Sequence, residues 1–208
     1  MRDQSPFGPD SFHSPAIVLY WLPVGAGAPS RVSEITSGWW ESIVAWRERR
    51  QPLRLVHAAL EVYIDDDCYV IEMAPEWSDP EVQDRGVVAR GPVGLRILGR
   101  SRFFRYEGRC WRNGTLSDRA WAVGEPIVVG RDEASARALL QHIHDVPPLI
   151  WGRSVPPTRD MWNSNSLVAW TLVTVMPDAT LPSPPEGSRA PGWTAGVAVA
   201  RRNGSKHQ

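Results

Sequence analysis

Lysine is almost missing from this 208-residue chain: Lys206 is the only one among 23 basic residues, so arginine carries the positive charge. Net charge is missing too, since 23 Lys+Arg face 23 Asp+Glu and the pI is about 7.0. A balanced chain lacks the excess positive field of dedicated nucleic-acid-binding domains and polybasic membrane anchors, so neither nucleic acid nor membrane is an expected partner. Long apolar runs are absent: the longest, residues 16–22, is far short of the ~18–20 residues of a transmembrane helix. Residues 1–15 show no basic stretch leading into an apolar core and no small-residue cleavage site, so the expected location is cytoplasmic. Cysteine is scarce; Cys68 and Cys110 lie outside any Cys-x-x-Cys pattern, which excludes a metal knuckle and points to two reduced, inert thiols.

What is present fits a folded domain. The 17 glycines and 19 prolines stay below the ~25–30% share of low-complexity chains. Hydrophobic content is 42%, and at ~100–200 residues per domain the length gives one domain. Proline, serine and glycine punctuate residues 1–15, and residues 201–208 are polar, so both are expected to be disordered tails around a domain at 16–200.

Apolar residues 16–22 read as a buried strand, and Trp39, Ile43 and Trp46 give residues 39–50 helical spacing. Residues 55–73 carry the clearest pattern: Val56, Ala58, Leu60, Val62 and Ile64 alternate with Leu55, His57, Ala59, Glu61 and Tyr63 before Asp65-Asp66-Asp67 interrupts, which predicts a β-hairpin. Further strands are expected at 102–111 and, more loosely, 93–98. Helices are expected at 132–144, capped by Asp132, and from about Asn163 to Val175. Residues 196–200 read as a last short strand. Helices mixed with hairpins predict an α+β fold with a largely antiparallel sheet.

The hairpin places a histidine and a carboxylate on one face. A two-residue turn at Asp65-Asp66 pairs Ile64 with Asp67 and puts Glu72 diagonal to His57; a turn at Asp66-Asp67 sets Glu72 opposite Glu61 instead. The first avoids facing like charges and is preferred. A carboxylate beside an imidazole fixes its tautomer and stabilises the imidazolium, as a general base requires. Against this stands the plainer account of a half-buried strand histidine with solvated glutamates.

The second segment is Trp162-Asn163-Ser164-Asn165-Ser166, a polar quartet opening an apolar helix. It is first a capping sequence, in which Asn163 or Ser164 accepts from free backbone N–H groups. The alternative puts a nucleophile at the helix start, where N–H groups and the dipole favour an anion and can hold an oxyanion.

The stretches 57–62 and 69–72, followed far downstream by 163–168, resemble circularly permuted papain-like domains, the group that includes lecithin-retinol acyltransferase-like proteins and is related to NlpC-type peptidases. The resemblance implies a strand histidine and a nucleophile at a helix start, on a permuted papain-like fold. The chain departs from that pattern at the reacting atom, with Ser164 where those enzymes carry cysteine; a serine needs a working base to be nucleophilic. Segments including 21–27, 84–88, 104–107, 151–153, 161–166 and 189–193 also resemble a family of uncharacterised bacterial proteins, which implies no activity.

The third segment is Arg96, Arg100, Arg102, Arg105, Arg109 and Arg112, interleaved with Phe103, Phe104, Tyr106 and Trp111. Guanidinium groups recognise phosphate and carboxylate bidentately, so the row is either a binding site or a solvated strand face. His142 and His144 alternate on a helix and form no metal site, and Gly25-Ala26-Gly27 lacks the P-loop and dinucleotide spacings. No cofactor or metal is expected.

The leading expectation is a hydrolase or acyl/amide transferase acting on a small molecule, with Ser164 as nucleophile, His57 as base and Glu72 as its orienter. Asn163, Asn165, Trp162 and Arg105 would bind substrate. The rival is a non-hydrolytic protein of specialised metabolism that shapes or sequesters an apolar small molecule in a pocket lined by some of the 11 tryptophans. A third class is a protein-interaction domain. Ser164 Oγ within reach of His57 favours the enzyme; a wide cavity without that contact favours the binder. The residues say nothing of oligomeric state.

Overall fold

The computed structural model describes residues 14–24, 53–76, 84–116 and 118–204. The helix expected at 39–50 and the glycine loop at 25–27 lie outside the described residues.

Apolar residues at two-residue spacing build the sheet. Strand β1 (Ala16–Pro23) is buried along its whole length and pairs antiparallel with β2 (Arg54–Ile64), Leu22 standing opposite His57. A tight turn follows in which Asp65 and Asp66 both have positive φ, 50° and 63°, and β3 (Asp67–Pro75) returns with Ile64 opposite Asp67. The hairpin and its preferred register are therefore present; the short polar side chain of aspartate tolerates the left-handed conformation this turn demands. Strand β4 (Val87–Pro92) and β5 (Arg105–Arg112) extend the sheet beyond β3, and β6 (Ile127–Gly130) closes it beyond β1. The order is β4-β5-β3-β2-β1-β6, with the two-residue β7 (Ser188–Arg189) parallel to the start of β2.

Three helices cover one face: α1 (Glu133–His142), α2 (Ser164–Val175) and α3 (Trp193–Gly204). Asp132 caps α1 by accepting from Ser135 N at 2.7 Å. Ten of the twelve residues of α2 are buried, as befits a helix apolar all round that runs through the middle of a core. Val56, Ala58, Leu60, Val62, Ile64, Ile71 and Met73 of the hairpin join Leu167, Val168, Trp170 and Leu172 of α2 and Ala195, Val199 and Ala200 of α3 in one cluster. Ala59, Tyr63 and Val70 pack on the other face with Val18, Tyr20 and Leu22. This is an α+β fold with a mostly antiparallel sheet. Among the described residues no helix is long and apolar enough to cross a membrane.

Three expectations are corrected. Residues 196–200 are helical, inside α3, and Arg201–Gly204 continue that helix instead of trailing away. The buried positions 195, 196, 199 and 200 have the one-sided spacing of a helix, and Arg201 and Arg202 suit its C-terminal dipole. Residues 96–100 and 102–104 form two 3-10 turns, so the strand expected at 102–111 begins only at Arg105. Strand β6, four half-buried residues long, went unforeseen.

Helix α3 sits very close to α2, because Gly196 faces its backbone. A Cβ on Gly196 would lie 2.3 Å from Ser166 O, and the packing of Trp193 against Trp21, 4.9 Å between ring centroids, holds α3 where it is. Gly196→Ala is expected to destabilise the protein by about 1–3 kcal/mol, the usual cost of forcing apart a packed interface. Urea unfolding monitored by circular dichroism measures it; an unchanged midpoint would contradict the close approach.

Candidate functional site

The polar quartet at the start of α2 is a clasp. Asn163 is the N-cap: its Oδ1 accepts from Asn165 N at 3.0 Å and Ser166 N at 3.3 Å, and Ser166 Oγ in turn accepts from Asn163 N at 3.1 Å. Asn163 Nδ2 donates to Pro191 O at 2.8 Å, and Ser166 Oγ lies 2.7 Å from Gly192 O. Asn165 reaches the sheet. Its Oδ1 accepts from Ala58 N at 2.7 Å, and its Nδ2 donates to Val56 O at 3.0 Å and Pro191 O at 2.7 Å. Strand β3 pairs with β2 only from Leu60 to Ile64, and β7 takes Arg54 and Leu55. The amide of Asn165 thus fills, on the edge of β2 away from β1, the stretch that neither β3 nor β7 covers.

The open choice of cap resolves to Asn163. Two first-turn N–H groups that an oxyanion would need already serve it, which leaves Ser164 N as the donor without an intramolecular partner at this helix end. Ser164 is 8% exposed, and its hydroxyl makes no hydrogen bond with a described residue.

The three residues expected to act together are placed apart. Alternation along β2 puts His57 on the face away from α2, where its Nε2 lies 3.4 Å from Asp118 Oδ2. Glu72 shares that face, as expected. The β2–β3 ladder opens after Leu60 opposite Ile71, however, and the cross-strand neighbour of Glu72 is Arg109, whose Nη1 lies 3.6 Å from Glu72 Oε1. The carboxylate beside His57 is Asp118, which nothing in the pattern of the sequence singled out. No hydrogen bond joins Ser164 to His57.

The His57 face is polar and still buried. Glu61, 3% exposed, accepts from Tyr20 OH at 2.8 Å, Tyr63 OH at 2.6 Å and Arg119 Nη1 at 3.3 Å. Burial, and then the Glu61 carboxylate, hold the Tyr20 phenol well above its ordinary range. Farther along, Glu107 and Arg109 have no exposed side-chain surface; Glu107 accepts from Arg85, Arg90 and Arg109 at 3.0–3.3 Å. Burial pushes the Glu107 carboxyl up, but the hydrogen bond and charge of Arg85, then Arg90 and Arg109, outweigh it and leave the carboxyl below its usual range. Part of the arginine row is therefore a buried structural network and not a solvated face. Cys68 and Cys110 are free thiols, which burial pushes up to about 12 and about 11, far from a reactive thiolate.

Three others of the row, Arg96, Arg100 and Arg105, line a cavity of about 770 Å³, while Arg112 pairs with Asp67. Arg90, Arg96, Arg100 and Arg105 face it from the β4–β5 side, Arg153 from the loop before α2, and Arg202 from the end of α3. Pro92, Leu149, Ile150, Val155 and Trp162 supply apolar wall, and no carboxylate of a described residue lines it. Arg90 is offset by Glu107 and Arg105 by Glu76, Arg202 donates to Pro156 O at 3.0 Å, and Arg96, Arg100 and Arg153 meet no carboxylate among the described residues. Of the expected substrate-binding residues, Trp162 and Arg105 belong to this cavity, whereas Asn163 and Asn165 belong to the clasp. Among the described tryptophans only Trp162 lines it; Trp21 and Trp170 are buried in the core. The wall from Arg153 and Arg202 escaped the sequence reading, since neither is near the arginine row in the chain.

Two expectations follow. Asn165→Ala leaves Ala58 N–H and Val56 C=O unpaired at about 1–3 kcal/mol each, so it is expected to lower stability by roughly 2–6 kcal/mol, while Ser164→Ala shifts it by less than about 0.5 kcal/mol. Chemical unfolding of both variants measures this, and equal losses would overturn the assignment of the cap. Glu107→Gln is expected to cost about 3–5 kcal/mol at neutral pH by weakening the partner of a buried guanidinium. Because the folded carboxyl of Glu107 titrates below its unfolded value, its contribution is full above about pH 4.3 and is lost as pH falls through the depressed value. The difference between wild type and Glu107→Gln therefore shrinks on acidification; a constant gap across an unfolding series from neutral to acid pH would refute it.

No family model, curated protein or solved structure matches the chain, so the papain-like resemblance rests on the quoted residues alone.

Proposed function

We propose that this protein binds, without hydrolysing it, a small molecule that carries a phosphate or carboxylate group on an apolar body. The observation that supports this most is the cavity: six guanidinium groups and no carboxylate among the described residues of its lining, in a chain whose total charge is zero. Its volume is within the ~300–1,000 Å³ of ligand pockets. Guanidinium forks recognise phosphate and carboxylate oxygens in pairs, and Pro148, Leu149 and Ile150 offer the apolar body a surface. The ligand class differs from the purely apolar one expected of a tryptophan-lined pocket, because the cavity wall is dominated by charge of one sign.

The rival is hydrolysis or acyl transfer through Ser164. It requires a base, and Ser164 has no hydrogen-bonded base; it requires an oxyanion hole, and Asn163 occupies two of the donors. One titration series separates the two. Phenyl phosphate is expected to bind the wild-type protein in calorimetry. Arg100→Ala and Arg153→Ala are each expected to weaken it by roughly ten- to a hundredfold, the loss of a charge-assisted hydrogen bond of about 1.5–3 kcal/mol. A serine-directed fluorophosphonate should leave Ser164 unlabelled. Labelling of Ser164 that His57→Ala abolishes, with no phenyl phosphate binding, would replace this reading by the hydrolase.

A further inference from the structure

Residues 95–105 read Leu-Arg-Ile-Leu-Gly-Arg-Ser-Arg-Phe-Phe-Arg, and no acidic residue occurs between Arg85 and Glu107. The described residues hold six exposed large hydrophobic side chains, and five of them are here: Leu95, Ile97, Leu98, Phe103 and Phe104, with Ile97 67% and Phe103 69% exposed. A concentration of this kind on an otherwise ordinary surface marks an interaction site.

The segment is held in shape by its own backbone. Leu98 N donates to Leu95 O, Ser101 N to Leu98 O and Phe104 N to Ser101 O, each at 3.0 Å, which makes two successive tight turns. Val93 N donates to Phe104 O at 2.8 Å and Gly94 N to Trp151 O at 2.9 Å, which ties the base of the knob to the sheet edge and to the loop before α2. The apolar side chains are thus presented outward on a fixed frame, with Arg96, Arg100 and Arg102 among them.

We infer that residues 95–104 are a docking knob for an anionic membrane surface, into which Leu95, Ile97 and Phe103 insert while Arg96, Arg100 and Arg102 meet lipid phosphate and carboxylate groups. The pairing of exposed aliphatic and aromatic side chains with arginine is what an interfacial lipid anchor needs, because burial in the acyl boundary and attraction to anionic headgroups add. Three other occupants fit less well. Single-stranded RNA takes stacking rings, and here aliphatic side chains outnumber aromatic ones. A second copy would bring two arginine-rich surfaces together against like-charge repulsion. A groove-forming protein needs a row of anchors on one side, and the apolar side chains here project around two turns. The contact is peripheral, so it requires no spanning helix, and the charge that drives it is local and invisible in the net charge of the chain.

Cosedimentation of the full chain with vesicles tests this. Binding is expected to phosphatidylcholine vesicles carrying roughly one-third phosphatidylserine, at least about tenfold above pure phosphatidylcholine, and to weaken with added salt. Ile97→Asp combined with Phe103→Asp should abolish it while leaving the unfolding temperature and phenyl phosphate binding unchanged, since both side chains are exposed and neither lines the cavity. Arg102→Glu, which leaves the cavity lining untouched, should reduce the preference for phosphatidylserine. Equal binding to both vesicle types, binding that survives the Ile97/Phe103 double substitution, or capture of a single-stranded RNA oligonucleotide or self-association in place of vesicle binding would each overturn the proposal. Because Ile97, Phe103 and Arg102 lie outside the cavity lining, loss of vesicle binding in these variants does not depend on loss of phenyl phosphate binding.

Discussion

One carboxamide connects the parts of this protein that matter most. Asn165 belongs to the first turn of α2, yet its three hydrogen bonds go to the backbone of β2 and to Pro191. Without it, the strand end beside His57 has no partner on that side and the turn leading into α3 loses a tie to the core. Asn163 and Ser166 reinforce the same junction, and Gly192 allows it: at φ +92° a Cβ there would stand 2.0 Å from Asn163 Oδ1. A segment that offers the residue types of a reactive site is thereby spent on architecture, since side-chain amides committed to backbone groups are not available to a substrate.

The sheet separates two kinds of interior. On the helix side the contacts are almost wholly apolar, as expected of a face that three helices cover. On the other side tyrosine, glutamate and arginine are buried together around Glu61 and Glu107, each carboxylate accepting at least three donors. Such networks are expensive to break and contribute specificity of arrangement more than net stability. Between the sheet edge and the far ends of the helical layer lies the arginine cavity, and the apolar knob stands at its rim. Binding and docking surfaces are thus gathered at one edge of the sheet.

The sequence was legible where a period was clean. Two-residue alternation from Val56 to Ile64, broken by three aspartates, is enough to place the hairpin, its faces and its turn, because a slip of one residue would send every apolar side chain to the wrong side. The cap of α1 was equally readable, whereas that of α2 was narrowed only to Asn163 or Ser164. Residues 196–200 misled because five small or β-branched residues satisfy either period, and only the close approach of Gly196 to α2 decides. The grouping of Ser164, His57 and Glu72 failed for a different reason. Hairpin register fixes a face but not how far the ladder extends, and Arg109, opposite Glu72 from β5, is a neighbour that no local pattern reveals. The cavity was half visible: its arginine row stood out, while Arg153 and Arg202 join it only through folding.

Six guanidinium groups around one opening also have a consequence for the empty protein. They repel one another, and among the described residues only Arg90 and Arg105 have a carboxylate at hand. Ordinary surface ion pairs weaken as salt is added, but here added electrolyte screens repulsion, so this corner of the molecule tightens with ionic strength. The cavity thereby behaves as a small halophilic region within a neutral protein, at its loosest in dilute buffer and at its most ordered when anions surround it.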